Sequence, residues 1–429
     1  MGASLFHPSV ILNRKQKTSA ELNQVLRSDE VLLVHSGAPI TKPGGLDQTY
    51  DFLPHPDYFW LTGFRRHGGI SAYSKDGGWV DFVRPVSRDE KIWEGGGQPC
   101  PGEDIAGITN WLESKKFSAV HHMGEHPESY SVRPELDQSD ILETFNEVRR
   151  VKDSAEIDLI RKIAGIANEG YKKISTFIRP GVTERDIQLE YESTVLRAGA
   201  EKLPYGSIVG AGSNGAILHA HPTSRVVKSG DLILIDAGAD IQDYCVDITR
   251  MFAADGKMSD RQKKIYDTVL AAQTASINLM KPGVEWKEIH LASGREIARG
   301  LRDIGILKCS VDEAIESLAV SVFFPHGVGH MVGLKVRDVG GMYNPNPKKY
   351  AGARLRVDLP LKEGYIMTVE PGLYFIEALM KDEETRQKFK TQINWAEAEK
   401  WLEFGGVRIE DDILVTANGS DNLTKMVAK

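Results

Sequence analysis

Two stretches of this chain carry the same punctuation: Arg179-Pro180-Gly181-Val182 with Ile187, and Lys281-Pro282-Gly283-Val284 with Ile289. Each follows an amphipathic helical segment, residues 156–177 and 261–280, and precedes another, residues 184–198 and 286–302. Proline cannot continue a helix, and glycine readily takes the left-handed conformation that closes one, so Pro-Gly ends the first helix of each pair. Helix–Pro-Gly–helix is common punctuation, and chance recurrence is one reading. The matched pattern on both flanks favours the other, a duplicated helix–helix–strand unit. Duplication constrains the fold strongly, because two similar halves then face one another and a site can form between them. Apolar strands are expected at residues 207–210, 231–237, 365–369 and 407–414, several of them ending on an acidic residue.

The chain ahead of these helices has another character. Residues 31–124 read as short strands broken by turns. Val31-Leu32-Leu33-Val34 precedes Ser36-Gly37, and Gly78–Val83 follows Asp76-Gly77. Helical pattern is thin there apart from residues 105–116. A charged stretch, Arg149, Arg150, Lys152 and Asp153, then leads into a helix. Asp153 and Glu156 have the spacing of a capping box, and Ile157, Ile160, Ala164, Ala167 and Tyr171 form one apolar stripe. A domain boundary is therefore expected near residue 150, separating an α/β domain at 1–150 from a second domain at 151–429. Such a division suits 429 residues.

With 41% hydrophobic and 26% charged residues, the chain is neither disordered nor collagen-like. A net charge of −7 disfavours a nucleic-acid partner. No run of ~18 apolar residues is present, so no membrane-spanning helix is expected. The N-terminus lacks the layout of a secretory signal. Cys100, Cys245 and Cys309 are scattered without C-x-x-C spacing, which fits a reducing, cytoplasmic location.

Chemistry concentrates at the strand ends. Leu232-Ile-Leu-Ile-Asp236 closes a strand that reads as fully buried, and Asp247 lies beyond a turn at residues 239–243. A hairpin would bring both carboxylates to one face. A single buried aspartate is more often a cap or turn residue, but two in apolar company are costly unless paired. His326-Gly-Val-Gly-His330 is a close histidine pair whose glycines would let the backbone approach a metal or substrate. Thr368-Val-Glu370-Pro-Gly ends another apolar strand on a carboxylate, and Arg408-Ile-Glu410 follows, with Arg408 and Glu410 on one strand face. A surface salt bridge is the plainer account of that last pair. Four carboxylates and one imidazole side by side need cations, and two divalent ions would balance them. Oxygen-dominated ligation suits manganese, cobalt or zinc. Two such ions ~3.5–4 Å apart can share a hydroxide and polarise a carbonyl, so hydrolysis is the expected chemistry.

The order Asp236, Asp247, His330, Glu370, Glu410, set in Ile-Asp-Ala-Gly, Asp-Ile-Thr-Arg, His-Gly-Val-Gly-His, Thr-Val-Glu-Pro-Gly and Gly-Gly-Val-Arg-Ile-Glu-Asp, resembles the prolidase and aminopeptidase P family of metallopeptidases. The likeness spans residues 150–425. It implies an α+β chain: a C-terminal pita-bread fold, with pseudo-two-fold antiparallel sheet covered by helices, behind an N-terminal creatinase-like α/β domain. The segment 375–404 looks like the insert of prolidases of the eukaryotic type. By resemblance, Asp236 chelates one metal, Asp247 and Glu410 bridge both, and His330 and Glu370 hold the other. Glu370 also shuttles a proton, His326 stabilises the oxyanion, and Arg408 orients the bridging carboxylate. His219, Arg356 and Tyr205 line the substrate pocket with Trp93 of the partner subunit, in a homodimer. His221 has no matching position and reads as a turn residue. Manganese is the expected metal, with cobalt and zinc as alternatives.

The implied reaction is hydrolysis of Xaa-Pro dipeptides, since a cation such as Arg356 can clamp a free carboxylate. The alternative is aminopeptidase P activity on longer peptides, and an organophosphate side activity is conceivable in either case. A non-catalytic pita-bread interaction module is disfavoured because all five ligand positions are present. One position departs from the pattern. Arg337 stands where the family usually has a histidine, and it either faces the substrate or pairs with Asp338.

Overall fold

Residues 5–96, 100–125, 139–340 and 348–429 are described by the computed structural model. Packing divides the chain into two units, Met1–Arg149 and Arg150–Lys429.

In the first unit, α1 (Pro8–Val25) starts on a proline just behind His7, whose ring accepts the Ser9 N–H. There follow β1 (Glu30–His35), α2 (Pro56–Thr62), β2 (Ile70–Ser74), β3 (Gly78–Val83), α3 (Arg88–Trp93), β4 (Glu103–Asp104), α4 (Ile108–Lys115), β5 (Ala119–Met123) and α5 (Ser139–Arg150). The sheet runs β4-β3-β2-β1-β5, with β1 antiparallel to β2 and parallel to β5. The apolar run expected at Val31–Val34 is buried throughout, with Val31 and Leu33 packing with Ile70, Ala72, Phe82 and Ile108. Two short helices depart from the strand-and-turn reading. In α2 every residue after Pro56 is buried, so it shows no amphipathic stripe, while α3 buries none and rests on the Ser87–Glu90 capping box.

The second unit begins with α6 (Ser154–Phe177), capped reciprocally by Asp153 and Glu156 at 2.9 and 3.0 Å. Next come α7 (Glu184–Arg197), β6 (Ile208–Ala211), β7 (Leu232–Asp236), β8 (Asp240–Ile241), β9 (Tyr244–Cys245) and β10 (Thr249–Ala253). A second run contains α8 (Asp260–Leu279), α9 (Trp286–Asp303), α10 (Val311–Glu316), β11 (Lys349–Tyr350), β12 (Ala353–Arg354), β13 (Ile366–Val369) and β14 (Gly372–Tyr374). It closes with α11 (Glu377–Met380), α12 (Glu383–Lys388), α13 (Trp395–Ala398), β15 (Gly406–Arg408), β16 (Asp411–Thr416) and β17 (Gly419–Asn422).

The repeat is visible in the backbone. Each half pairs two helices with a three-stranded antiparallel sheet, β10-β7-β6 in one and β13-β16-β17 in the other. The two Pro-Gly junctions make matching bonds. Gly181 and Val182 pair with Val227, and Gly283 and Val284 pair with Leu361 in the same pattern. Chance recurrence would not reproduce that registry. Gln242 and Asp243 both adopt positive φ, the pair of left-handed residues that a tight β8–β9 hairpin demands. The strand expected at 407–414 is two strands, broken at Ile409-Glu410, and the break places Glu410 in the site. The insert packs through its aromatics, Phe375 stacking on Trp401 with Phe404 edge-on.

Candidate metal centre

The strand ends repeat like the helices. In the first half β7 ends on Asp236, paired with Thr249, and Asp247 lies just ahead of β10. In the second half Glu370 follows β13, whose Val369 pairs with Asp411, and Glu410 lies just ahead of β16. Each hairpin-like pair thus contributes one carboxylate from its incoming strand and one from its outgoing strand. A Thr249–Glu410 bridge joins the halves, with the Glu410 N–H donating to the Thr249 carbonyl at 3.2 Å and Asp247 N–H donating to Asp412 at 3.1 Å. His330 arrives on a segment laid along β13: its N–H donates to Thr368 Oγ1, and Thr368 N–H donates back to the His330 carbonyl. Gly329 permits that approach, because a Cβ there would sit 2.0 Å from the Thr368 carbonyl oxygen. The glycine thus serves strand contact, and it also lines the cavity together with Gly327.

Asp236, Asp247, His330, Glu370 and Glu410 all line one cavity of about 460 Å³ within the second unit. Ligand atoms of Asp247, His330 and Glu410 lie within 4.8 Å of one another. The cluster is electrostatically strained. Burial, then the neighbouring Asp247, pushes Asp236 up to about 7. Burial, with Asp247 and Glu370, raises Glu410 well above the carboxylate range, and burial raises Glu370. Like charges this close cannot all ionise without a cation.

His330 tests whether a metal suits the site. Its Nδ1 lies 3.0 Å from the Met331 carbonyl, which can only accept, so Nδ1 carries the proton. Nε2 then faces Asp247 and Glu370 oxygens at 3.5 and 3.7 Å, distances longer than hydrogen bonds. A lone pair aimed at two carboxylates is repulsive unless the ring takes a second proton or a cation lies between them. An imidazole tied by its other N–H to a carbonyl is the usual support of a metal ligand. The donor set fits a divalent cation of intermediate softness.

Side chains around the cluster fix it. Tyr205 directs its hydroxyl at Asp236 (2.8 Å) and Asp247 (2.5 Å). Tyr171 donates to the Ile248 carbonyl at 2.6 Å, and Tyr191 reaches the Ala237 and Gly238 carbonyls, pinning both strand ends from behind. Arg408 is buried and not part of a surface salt bridge. It holds Asp236 at 2.7 Å and reaches Glu410 only through Thr249, which receives Arg408 Nε and donates to Glu410 at 2.6 Å. Arg408 thus contacts Asp236 directly, and orientation of a bridging carboxylate, implied by the resemblance, would run to Glu410 through the Thr249 hydroxyl.

His326 also lines the cavity, with both ring nitrogens engaged. Nδ1 donates to the Gly327 carbonyl, and Nε2 accepts from the Tyr374 hydroxyl, each at 2.9 Å, while Arg408 donates to the same hydroxyl at 3.0 Å. Burial, then Arg408, depresses its pKa to about 3, so the ring is neutral at working pH. In this arrangement its N–H is spent on the backbone, and a role towards an oxyanion requires that N–H to leave Gly327, or the proton to move to Nε2 with Tyr374 displaced.

Behind it, His290 packs on Phe324, which packs on His326. His290 Nε2 donates to the Tyr350 carbonyl, Nδ1 is buried without a partner, and burial pushes its pKa from 6.5 down to about 4. Between those values the unfolded chain binds a proton that the folded chain refuses, so stability is complete above pH 6.5 and falls as the solution is acidified. His290→Phe is expected to remove about 2 kcal/mol of the stability lost between pH 7 and pH 5. Urea midpoints of both proteins at the two pH values measure this, and parallel losses would refute it.

At the cavity wall stand His219, Arg356 and Arg337. Asp338 pairs with buried Lys152 at 2.8 Å, leaving Arg337 to the cavity. His221, taken from the sequence as a turn residue, is a lining residue too. Trp93 is in the first unit, on α3, where it is 84% exposed.

Residues 158–417 match Metallopeptidase family M24, and residues 12–122 match the aminopeptidase P N-terminal domain. The chain belongs to metallopeptidase family M24. Among relatives of this metallopeptidase, the probable Xaa-Pro aminopeptidase pepP of Neosartorya fischeri is 32% identical over 411 residues, covering 88% of this chain and 86% of the relative. That of Botryotinia fuckeliana is 36% identical over 402 residues, covering 89% and 86%. Among solved structures, E. coli aminopeptidase P with the inhibitor Pro-Leu superposes with a TM-score of 0.80 at 28% identity, covering 99% of this chain and 96% of that one. Pseudomonas aeruginosa aminopeptidase PepP gives 0.79 at 28%, with the same coverages. The second unit of this M24 enzyme is accordingly a pita-bread catalytic domain, behind an aminopeptidase P N-terminal domain. Among the described residues no helix is long and apolar enough to cross a membrane.

Proposed function

We propose that this metallopeptidase is a divalent-metal-dependent Xaa-Pro aminopeptidase, releasing the N-terminal residue of peptides whose second residue is proline. The observation that carries the metal centre is His330, its Nδ1–H given to a carbonyl and its Nε2 turned to two carboxylates. The names of the relatives shift the substrate from Xaa-Pro dipeptides towards longer peptides. Asp236, Asp247, His330, Glu370 and Glu410 would hold two divalent ions, with manganese the expected metal and cobalt or zinc the alternatives. Bound there, the ions would acidify water and polarise a carbonyl.

The chain's own groups do the rest. Glu370, at the cavity surface beside His330, is placed to take up and return a proton. Tyr205 and Arg408 hold Asp236 and Asp247 in register. His219, Arg356 and Arg337 face the substrate, and a homodimer would add Trp93 of the partner subunit. A proline amide has no N–H, so a site that polarises the carbonyl dispenses with the donor that ordinary peptidases read. Convergence of all five ligand positions argues against a non-catalytic module. The three free cysteines suit a cytoplasmic enzyme.

The test is a series of Ala-Pro, Ala-Pro-Ala, a longer Ala-Pro peptide and Ala-Ala-Ala, assayed after chelation and after reloading with manganese, cobalt or zinc. Metal-restored release of alanine from Ala-Pro-Ala and from the longer peptide, with Ala-Ala-Ala uncleaved, is expected. Cleavage of Ala-Pro alone would return the dipeptidase reading. Cleavage of none of the proline peptides by metal-loaded protein would end both.

A further inference from the structure

The cavity is polarised. Its floor holds the carboxylates of Asp236, Asp247, Glu370 and Glu410, while Arg337, Arg356, His219 and His221 line it elsewhere. Arg408 is committed to Asp236, whereas Arg337 and Arg356 have no such partner among the described residues. Among the described residues neither guanidinium meets a hydrogen-bond or ion-pair partner, and both residues are exposed. Both line the same cavity as His219 and act on one another: after burial, Arg337 weighs against the charge of His219, and it weighs against that of Arg356 too, where Glu370 favours the charge more strongly.

Arg337 is not a loose surface side chain. Its neighbour Asp338 is anchored on the other side by Lys152, an ion pair with both side chains almost fully buried, and Asp338 N–H donates to the Met331 carbonyl. Gly333, earlier on this segment, bonds through its carbonyl to Cys245 N–H. Arg337 sits in a bend of this anchored segment, and it lines the cavity. Two neighbouring guanidinium groups with no hydrogen-bonded or ion-paired partner among the described residues are stabilised by an anion, and their forks match the two oxygens of a carboxylate. A peptide bound across this cavity is aligned by its own charges, its α-ammonium towards the acidic floor and its carboxylate towards the arginines.

We propose that Arg337 and Arg356 form a carboxylate clamp that makes this enzyme select peptides with an anionic group just beyond the proline. That group is either the terminal carboxylate of a short peptide or an acidic side chain. The inference rests on the peptidase reading above, and it names that site's substrate class.

Two measurements separate the clamp from that reading. The first is kcat/KM for Ala-Pro-Ala, its C-terminal amide, Ala-Pro-Glu-amide and Ala-Pro-Lys-amide, with parent, Arg337→Ala and Arg337→Glu proteins of matched thermal midpoint. The second is calorimetric binding of Pro-Leu and Pro-Leu-amide to the metal-loaded proteins. In the parent, amidation is expected to cost about tenfold or more in both measurements, the worth of a charge-assisted bond. If the clamp reads charge alone, Ala-Pro-Glu-amide recovers most of the loss; if it reads only the chain terminus, that peptide stays as poor as Ala-Pro-Ala-amide while the acid-to-amide ratio persists. Arg337→Ala brings the acid-to-amide ratio within twofold, and Arg337→Glu makes the lysine peptide better than the glutamate one. A parent ratio within twofold, or a ratio unchanged in Arg337→Ala, overturns the clamp even if Xaa-Pro peptides are cleaved. Carboxylate- and Arg337-dependent binding of Pro-Leu without any Xaa-Pro hydrolysis sustains the clamp and overturns the peptidase reading.

Discussion

Asp247→Ala should leave a folded protein that holds less metal and has lost about 10³-fold or more in kcat/KM. Asp247 occupies the middle of the cluster. One oxygen receives Tyr205, the other faces His330, and its N–H is tied to Asp412 through the second half of the domain. It is also the group whose charge most raises Asp236 and Glu410 after burial itself. Removing it takes away both a ligand and a source of repulsion. Without added metal, the variant should therefore be as stable as the parent or more so, whereas with metal the parent should gain the larger stabilisation by linkage. Elemental analysis after gel filtration, peptide kinetics and thermal midpoints with and without manganese give the three readouts. Full metal content with activity within tenfold of the parent would remove Asp247 from the centre. A collapse of the metal-free midpoint would instead make its role structural.

The candidate ligands were legible in sequence because each breaks a local rule. Asp236 ends an apolar strand, Glu370 ends another in front of Pro-Gly, and His330 sits among glycines. A buried charge at a strand end needs a reason, and the reason is shared by all of them. The duplicated Pro-Gly junctions were legible for the same cause, since the chain has few other ways to stop a helix. What escaped is chemistry created only by pairing across the fold. Thr249 reads as an ordinary strand residue, yet it relays Arg408 to Glu410. Tyr374 lies on β14 a few residues beyond Glu370, and only the β14–β15 pairing brings it to Arg408 and His326. Tyr171 and Tyr191 sit on buried helix faces where an aromatic is expected anyway, and nothing local reveals that their hydroxyls hold the strand ends. His221 gave no signal beyond proximity to His219. Arg408 and Glu410 were placed on one face by alternation, but the break between β15 and β16 lets Arg408 turn to Asp236 instead.

Arg250 shows how one buried side chain can serve both stability and the site, and its loss is expected to be the most destabilising substitution in the second unit. It is 1% exposed, donates to the carbonyls of Thr249, Glu410, Val427 and Ala428, and pairs with Asp411 at 2.6 Å. Burial pushes the Asp411 carboxyl up, but Arg250 and then Lys429 more than offset this and hold it below its ordinary value. Arg250→Met keeps the bulk, strips the donors from four carbonyls and leaves Asp411 dependent on Lys429, Gln273 and Thr424. Breaking one side of a buried pair costs about 3–5 kcal/mol, or roughly 5–9 °C in midpoint for a domain of this size. Arg161→Ala is the control. Its pair with Asp421 is equally short, 2.6 Å, but 40% exposed on the arginine side, and its loss should cost less than about 1 kcal/mol. Thermal or urea unfolding of both variants decides whether burial or distance sets the value of an ion pair here, and equal losses would show that burial does not. Because the same guanidinium holds the Thr249 and Glu410 carbonyls, Arg250→Met should also weaken metal binding by about 10–100-fold, as loss of a ligand's supporting contact does. Arg250→Lys separates the two effects. One ammonium can keep Asp411 paired but cannot span the same carbonyls, so it should recover part of the stability while metal affinity stays low.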